Sequence, residues 1–460
     1  VRQFEGNVAL IDPKDRSLNR TILQLALPAV VENLLQTLVF FADTVMVGWL
    51  RNPAALAAVG LGGTLFYLLM TLFGAVAVSA TALVARAWGA GNRERAAQVG
   101  GQAIMLTLIL AGVGTALLYP FATGYVRLMG GEPEVVELGS RYARIILLSS
   151  LFNYPMMVAN GIMRGAGDTR TPMWNTLMMN ICNIIVSYLL IFGVAGLPAL
   201  GIDGAAWGTT AARAVGGVLA VGALLGGRTV IRLDWRSFFQ WNGRIVKRIL
   251  ELAIPTAVEG SVAQSGYLIF TRMVASLGTA TLAAHQIALR VESLSYMPSL
   301  GLAVAATTLV GQALGAENHR LAEASIKRTL LFSLIFNGLL GVIFVIFARP
   351  IVSIFGATPD VLALAALALM IAAAELPALG IDMILAGGLR GAGDTRTPMI
   401  VTLVGVLLFR LSLVYLLAIQ WGWGLAGVWW GTAIDWTIRA LMLWIFFLRG
   451  RWKTIKLAEE

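Results

Sequence analysis

The chain has 460 residues, of which 58% are hydrophobic and 13% charged, with a mean hydropathy of +0.80. That much apolar surface exceeds what one water-soluble core hides, so composition excludes a soluble globular domain and places the chain in a bilayer. The formal net charge of +10 then reads as membrane topology and contact with anionic lipid, and nucleic acid is not expected as a partner.

In chain order, twelve apolar stretches are predicted to cross the membrane, at about 22–46, 54–84, 98–122, 139–162, 172–195, 203–226, 248–274, 280–312, 324–348, 360–388, 398–420 and 424–448. Each is long enough to span a hydrocarbon core of about 30 Å at about 1.5 Å per residue. The runs are continuous and lack the ten-residue alternation of a membrane β-barrel, so an all-α integral membrane protein is expected. The polar stretch Val1 to Arg20 leads into a full-length helix, and no cleavable signal peptide is expected. A single cysteine, Cys182, excludes an intramolecular disulfide and a cysteine-based metal cluster. The two histidines, His285 and His319, are too far apart in sequence to suggest a His-rich metal site, and no cofactor is expected.

The string Arg-Gly-Ala-Gly-Asp-Thr-Arg-Thr-Pro-Met occurs twice, from Arg164 to Met173 and from Arg390 to Met399. Flanking matches extend it. Ile22 to Pro28 resembles Ile249 to Pro255, each proline followed four residues later by a glutamate, Glu32 and Glu259. Ala87 to Asn92 matches Ala313 to Asn318, and Gly204 to Thr209 matches Gly427 to Thr432. A repeat of half the chain length predicts two homologous six-helix lobes. The N-terminal lobe is 1–226, a linker covers 227–247, and the C-terminal lobe is 248–460. The linker, with its amphipathic run Trp235 to Trp241, is expected to lie along the cytoplasmic interface.

Placing both termini in the cytoplasm puts about 24 of the 34 lysines and arginines in cytoplasmic segments and leaves Arg51, Arg127 and Arg349 in the opposite loops. Because each lobe holds an even number of helices, the lobes share one orientation and are expected to be related by a pseudo-twofold axis along the membrane normal. The two decapeptides become cytoplasmic turns in which Asp168 or Asp394 caps the next helix and Pro172 or Pro398 enters its first turn. Neither follows a strand or carries a Walker lysine, so they are not read as nucleotide sites.

The duplicated decapeptide, Phe41-Ala-Asp-Thr-Val-Met-Val-Gly48, Gly89-Ala-Gly-Asn92 and Ala283-Ala-His-Gln-Ile-Ala-Leu-Arg290 together resemble the multidrug and toxic compound extrusion (MATE) family, prokaryotic branch, over nearly the whole chain. The resemblance implies a twelve-helix antiporter of two six-helix lobes in the cell inner (cytoplasmic) membrane. It would work as a monomer by alternating access, exporting amphipathic, mostly cationic organic compounds in exchange for protons or sodium ions.

Coupling chemistry belongs to ionisable groups at membrane depth, each costing about 2.5 to 3.5 kcal/mol on insertion scales. In the first helix Glu32 and Asp43 are about three turns apart on one face, with Gln36 near the same stripe. Asn180, Asn183 and Ser187 make a polar stripe on the fifth. Asp43, Asn183 and Thr209 match an ion-binding pattern of the family, some of whose members carry an aspartate where this chain has Ser187. The serine leaves one carboxylate instead of two and favours a protonatable Asp43 over a tight sodium site. The alternative is that Asp43 only packs the first helix against the fifth.

In the second lobe Glu259 corresponds to Glu32, but Phe270 stands where Asp43 would be, so the ion chemistry is not symmetric. Glu375 and Asp382 share a face of the tenth helix, and His285 and Glu292 share one of the eighth, with Arg290 on another side. These six are candidates for a second cation or substrate site, although the family's seventh-helix glutamate would fall near Ala263. The alternative is a balanced network in which Arg272, Arg290 and Arg410 neutralise Glu259, Glu292 and Asp382. Asp435 and Arg439, four apart, are expected to pair with each other, and Arg141, Arg144 and Arg213 to reach an interface. Gln36, Met157, Ser187, Tyr188 and Tyr267 are cavity candidates, since adaptable methionine and aromatic walls suit varied ligands. A flippase for lipid-linked precursors, an intramembrane enzyme and a channel are the rival readings. The first lacks an arginine-lined cavity, the second a recognisable catalytic motif, and the third does not explain a two-lobe repeat.

Overall fold

A computed structural model describes residues 16–227, 229–234 and 238–455, and among them the chain is built of helices and short turns. The first half forms α1 (Arg16–Gly48), α2 (Pro53–Gly89), α3 (Arg93–Leu118), α4 (Ala122–Leu128), α5 (Pro133–Leu148), α6 (Ser150–Gly165), α7 (Arg170–Phe192) and α8 (Ile202–Leu225). The second forms α9 (Gly243–Ala275), α10 (Thr279–Gly315), α11 (His319–Ser353), α12 (Pro359–Gly391), α13 (Arg396–Gln420) and α14 (Gly424–Arg449). Two stretches of α13, Gly405–Arg410 and Tyr415–Gln420, are π-helical.

Among the described residues ten helices are long and apolar enough to cross a membrane, and α5 with α6 makes an eleventh span. The twelfth, α9, is a 33-residue helix whose hydropathy is diluted by Arg244, Lys247, Arg248, Glu251 and Glu259. The fourth expected span is not one straight helix over 139–162: α5 and α6 meet at 45°. At the corner the Ser149 hydroxyl takes the Ile146 carbonyl at 2.6 Å, and Pro155 sits inside the second turn of α6. A hydroxyl competing for a backbone carbonyl, followed by a residue without an N–H, is a sufficient cause for a kink.

The repeated sequence motifs are helix punctuation. In each decapeptide the second glycine adopts a left-handed conformation, Gly167 at φ 92° and Gly393 at φ 87°. The chain closes over it through Asp168 N–H to the Met163 carbonyl (2.9 Å) and Asp394 N–H to the Leu389 carbonyl (2.8 Å). The aspartate then caps the next helix: Asp168 accepts from the Thr171 N–H at 3.0 Å, as Asp394 does from Thr397 at 3.0 Å. Asn92 and Asn318 cap α3 and α11 in the same way, accepting from Arg95 and Leu321 at 2.9 Å.

Two equivalent helix crossings carry the packing. Thr81 of α2 donates to the Gly161 carbonyl of α6 at 2.9 Å, and Thr307 of α10 donates to the Gly387 carbonyl of α12 at 2.8 Å. Backbones this close leave no room for a side chain: a Cβ on Gly161 would lie 2.8 Å from the Ala77 carbonyl, and one on Gly387 2.7 Å from that of Ala303. Around the first crossing, Tyr154 stacks on Phe73 and Phe66, with ring centroids 3.9 and 5.3 Å apart, and its hydroxyl reaches the Phe66 carbonyl at 3.1 Å.

The chain forms two compact units. The first comprises residues 31–253. The second comprises 254–455 together with 16–30 at the start of α1. Prolines Pro28 and Pro255 lie within three residues of these divisions, inside α1 and α9. The end of the linker is fastened to the first unit by Gln102 of α3, which donates to the Gln240 carbonyl and accepts from the Asn242 N–H, both at 3.0 Å. Phe239 and Trp241 are exposed there and Phe238 is buried. Residues 235–237 of the amphipathic run, and both chain ends, lie outside the described residues.

Replacing Gly387 by valine is expected to destabilise the protein by about 1–3 kcal/mol through overpacking. Gly161→Val should do the same. Tryptophan fluorescence during thermal unfolding in detergent measures it, and unchanged midpoints would show that the helices separate without cost.

Candidate functional site

Asp43 stands near the end of α1, in the first unit, and is 4% exposed. Thr209 of α8 donates to one carboxylate oxygen at 2.6 Å and Asn183 of α7 to the other at 3.1 Å. The Asn183 amide nitrogen is also 3.2 Å from the Thr209 hydroxyl and 3.3 Å from that of Ser187, and its own carbonyl oxygen is buried without a partner. The cluster depends on α7 and α8 touching backbone to backbone: a Cβ on Gly208 would lie 2.6 Å from the Ser187 Cα.

One turn beyond Thr209, Arg213 is buried. Its Nη1 donates to the Ser149 hydroxyl at 2.7 Å, and its guanidinium lies 3.9 Å from the Phe66 ring centroid. The charge is in electrostatic reach of Asp43. Asp43, Thr209 and Arg213, with Thr44, Phe66 and Tyr142, line a cavity of about 150 Å³, room for several waters or a small polar group. A smaller cavity of about 40 Å³ also borders Arg213 and is walled by Gln36, Asn153 and four methionines including Met157. Arg213 therefore does not reach out to an interface as its sequence position suggests; it is a cation inside the site. Arg141 pairs with Asp203, and Arg144 donates to Thr123 at 3.1 Å.

The other first-helix acid is elsewhere in charge terms. Glu32 takes Arg164 at 2.9 Å on both oxygens and Asn160 at 3.1 Å. Arg164 is the first residue of the decapeptide. The second copy repeats the bond, with Arg390 to Glu259 at 2.6 Å and Thr402 at 3.1 Å. Sequence reading treated both arginines as turn residues; the signal that they bind acids was their occurrence, with the glutamates, in both halves. Asn180, on the stripe with Asn183, donates to the Thr176 carbonyl at 2.9 Å and does not touch Asp43. Tyr188 packs on Phe192 and is exposed, as is Tyr267. Neither lines the cavities described.

In the second unit the balanced network has different partners from those expected. Asp382 is held by Arg439 at 3.0 and 3.2 Å, and Asp435 by Arg410 at 2.8 Å. Asp435 and Arg439 therefore do not neutralise each other, because each has a closer partner from another helix. Both guanidiniums lie over Trp436, at 4.3 Å for Arg439 and 5.1 Å for Arg410. Arg272 and Arg290 are exposed and enter none of these pairs. Glu292 of α10 and Glu375 of α12, both buried, stand in hydrogen-bond contact, and Thr432 of α14 also bonds Glu375. Two carboxyl groups in that contact hold a proton between them, since an ionised carboxylate can only accept. His285 is buried between the rings of Phe270 (5.3 Å) and Trp429 (5.5 Å). Among the described residues no group of three or more His, Cys, Asp or Glu is placed to hold a metal ion.

The MatE family model matches the chain twice, over residues 28–189 and 255–416, once in each repeat. The chain belongs to the MATE family. It is 33% identical over 451 residues to the probable multidrug resistance protein NorM of Thermotoga maritima, covering 96% of this chain and 95% of that one. It is 29% identical to the probable NorM of Rhizobium meliloti over 93% of each. The uncharacterized transporter YisQ of Bacillus subtilis is 23% identical, over 97% of this chain and 96% of its own. Among solved structures, a MATE in complex with MaD3S has a TM-score of 0.88 and 26% identity over 98% of this chain and 99% of that one. An outward-facing multidrug resistance MATE transporter of the MOP superfamily also scores 0.88, at 25% identity over 97% and 98%. As a MATE-family chain, this is a twelve-helix, multi-pass membrane transporter and not an enzyme.

Deleting Arg164 strands Glu32 in a buried site, so Arg164→Ala is expected to cost about 3–5 kcal/mol. Adding Glu32→Gln should recover part of that loss. A thermal-unfolding double-mutant cycle checks it, and strictly additive effects would show that the two side chains do not interact.

Proposed function

We propose that this MATE-family chain is a secondary active multidrug antiporter of the cell inner membrane, with both termini cytoplasmic. It exports amphipathic, mostly cationic compounds in exchange for protons, and Asp43 is the coupling carboxyl. The observation that carries the reading is a single buried carboxylate, held by two neutral donors, on the wall of a cavity that also contains Arg213. The names of the NorM relatives support drug export. The distribution of basic residues supports the orientation.

Charge accounting links the two ligands. With Asp43 ionised, its charge and that of Arg213 balance, and an organic cation can approach the carboxylate. A proton on Asp43 leaves the arginine uncompensated and makes the cavity repel a cation, so protonation favours release. A proton suits this site better than sodium, because Asn183 and Thr209 turn N–H and O–H donors toward Asp43 and Ser187 brings no second carboxylate. Asn180 shapes the wall behind Asn183, and Glu32, committed to Arg164, acts as an anchor. At a membrane potential of about 100 mV, one net inward charge contributes about 2.3 kcal/mol, a gradient of roughly fiftyfold.

A second coupling position is supported in the second unit by the contact between Glu292 and Glu375. Glu259 and Asp382, each bound to an arginine, serve instead as structural charge pairs.

Reconstituted into proteoliposomes, Asp43→Asn should bind a cationic dye and fail to export it when a proton gradient is imposed. A sodium gradient alone should drive nothing in the native protein. Normal proton-driven export by the variant would remove Asp43 from the mechanism, and export on sodium alone would overturn the choice of ion.

A further inference from the structure

His285 is 1% exposed, and neither of its ring nitrogens has a hydrogen-bond partner. The indole N–H of Trp429, whose ring centroid is 5.5 Å from that of His285, is also buried and unpartnered. Leaving one buried donor or acceptor unpaired costs about 1–3 kcal/mol, so three within one aromatic contact point to a ligand that pairs with them. The donor set suits a water: it accepts from the indole, donates to one imidazole nitrogen, and leaves the other to continue the chain of hydrogen bonds.

The position gives that water a task. His285 lies six residues into α10, about 9 Å from the end formed by the Leu277–Gly278 turn. Glu292 follows two turns later on the same buried face. On α14, Thr432 is one turn beyond Trp429, donates to its carbonyl at 2.8 Å, and meets Glu375. The polar groups therefore line up from His285 and Trp429, through Thr432, to the Glu375–Glu292 contact, while Ala284, Ala288 and Val291 seal the surroundings. The elements packed on the imidazole present Phe270 from α9 and Trp429 from α14. The charges farther along are Glu292, Glu375 and Arg410, with Tyr296 beside them.

We infer that His285 and Trp429 form a water-holding relay that passes protons between the membrane face at the α9–α10 turn and the Glu292–Glu375 pair. A proton arriving through the water binds the free imidazole nitrogen, the proton on the other nitrogen leaves toward the carboxyl pair, and the ring returns to neutrality as the other tautomer. No charge remains on the ring and no other reactant is needed. The inference rests on the reading of Glu292 and Glu375 as a second coupling position. His285 is a positioning and transfer residue and does not touch the transported compound.

The test follows carboxyl protonation in the full-length reconstituted protein by infrared difference spectroscopy after a pH jump on the face of the α9–α10 turn. In the native protein a protonated-carboxyl band should grow, and Glu375→Gln should remove it. His285→Phe keeps the aromatic packing and lacks both nitrogens. It should slow the growth of the band about tenfold or more while leaving its final amplitude unchanged. His285→Gln, which retains a donor and an acceptor for the water, should recover part of the rate. Trp429→Phe removes only the indole N–H and should slow the band by a smaller factor, which preserves the test if the histidine variant does not fold. Native rates in His285→Phe or Trp429→Phe, with the band still lost in Glu375→Gln, would overturn the relay and leave the carboxyl pair standing. A native protein without the band would overturn both.

Discussion

A charge inside a bilayer has no water to turn to, so each one this chain carries must find its counterpart in the protein. The two decapeptide arginines meet that demand and connect turn to helix as they do so: Arg164 reaches Glu32 of α1, and Arg390 reaches Glu259 of α9. Each bond ties the end of one helix to the middle of another that is far away in sequence, so the position of the turn depends on the position of the acid. Asp382 with Arg439 and Asp435 with Arg410 follow the same logic within the second unit. Once these pairs are removed from consideration, the groups that remain are the ones with neutral or like-charged neighbours. They are Asp43 beside Asn183 and Thr209, the Glu292–Glu375 contact, and His285.

The architecture was legible because it follows from local rules. Continuous apolar runs are helices in a membrane, and the repeat revealed the halves before any contact was known. The caps at Asp168, Asp394, Asn92 and Asn318 could be anticipated from the preference of short oxygen-bearing side chains for helix starts. The meeting of Asp43 with Asn183 and Thr209 was anticipated from a family pattern. Partner choice was not legible. A spacing of four between Asp435 and Arg439 suggests a pair, but a helix surface does not say which neighbour comes closer from outside, and here Asp382 and Arg410 did. Arg213 was misread for a similar reason, since an arginine at that helical position reaches an interface unless an aromatic ring and a hydroxyl are waiting inside. The corner at Ser149 was invisible because hydropathy records composition and not the direction of the axis.

The two units put the same frame to different uses. Thr209 and its repeat equivalent Thr432 both hydrogen-bond a buried carboxyl, yet one acid comes from α1 and the other from α12. Phe270, at the position equivalent to Asp43, packs its ring against His285. Duplication supplied the scaffold of crossings, caps and anchoring pairs. The ionisable chemistry diverged within it.

The π-helical stretches of α13 show one way the halves came to differ. A π turn absorbs an added residue without breaking the helix, and α13 has 25 residues where α7, which begins with the same Arg-Thr-Pro-Met, has 23. Each added residue rotates everything after it by about 100° relative to a regular helix. The two helices start in phase and finish out of phase. Numerical equivalence between the halves, dependable up to Gly405, therefore ceases to mean equivalence of face beyond it. A substitution transferred from α7 to α13 by counting residues will point in a different direction from the one it had.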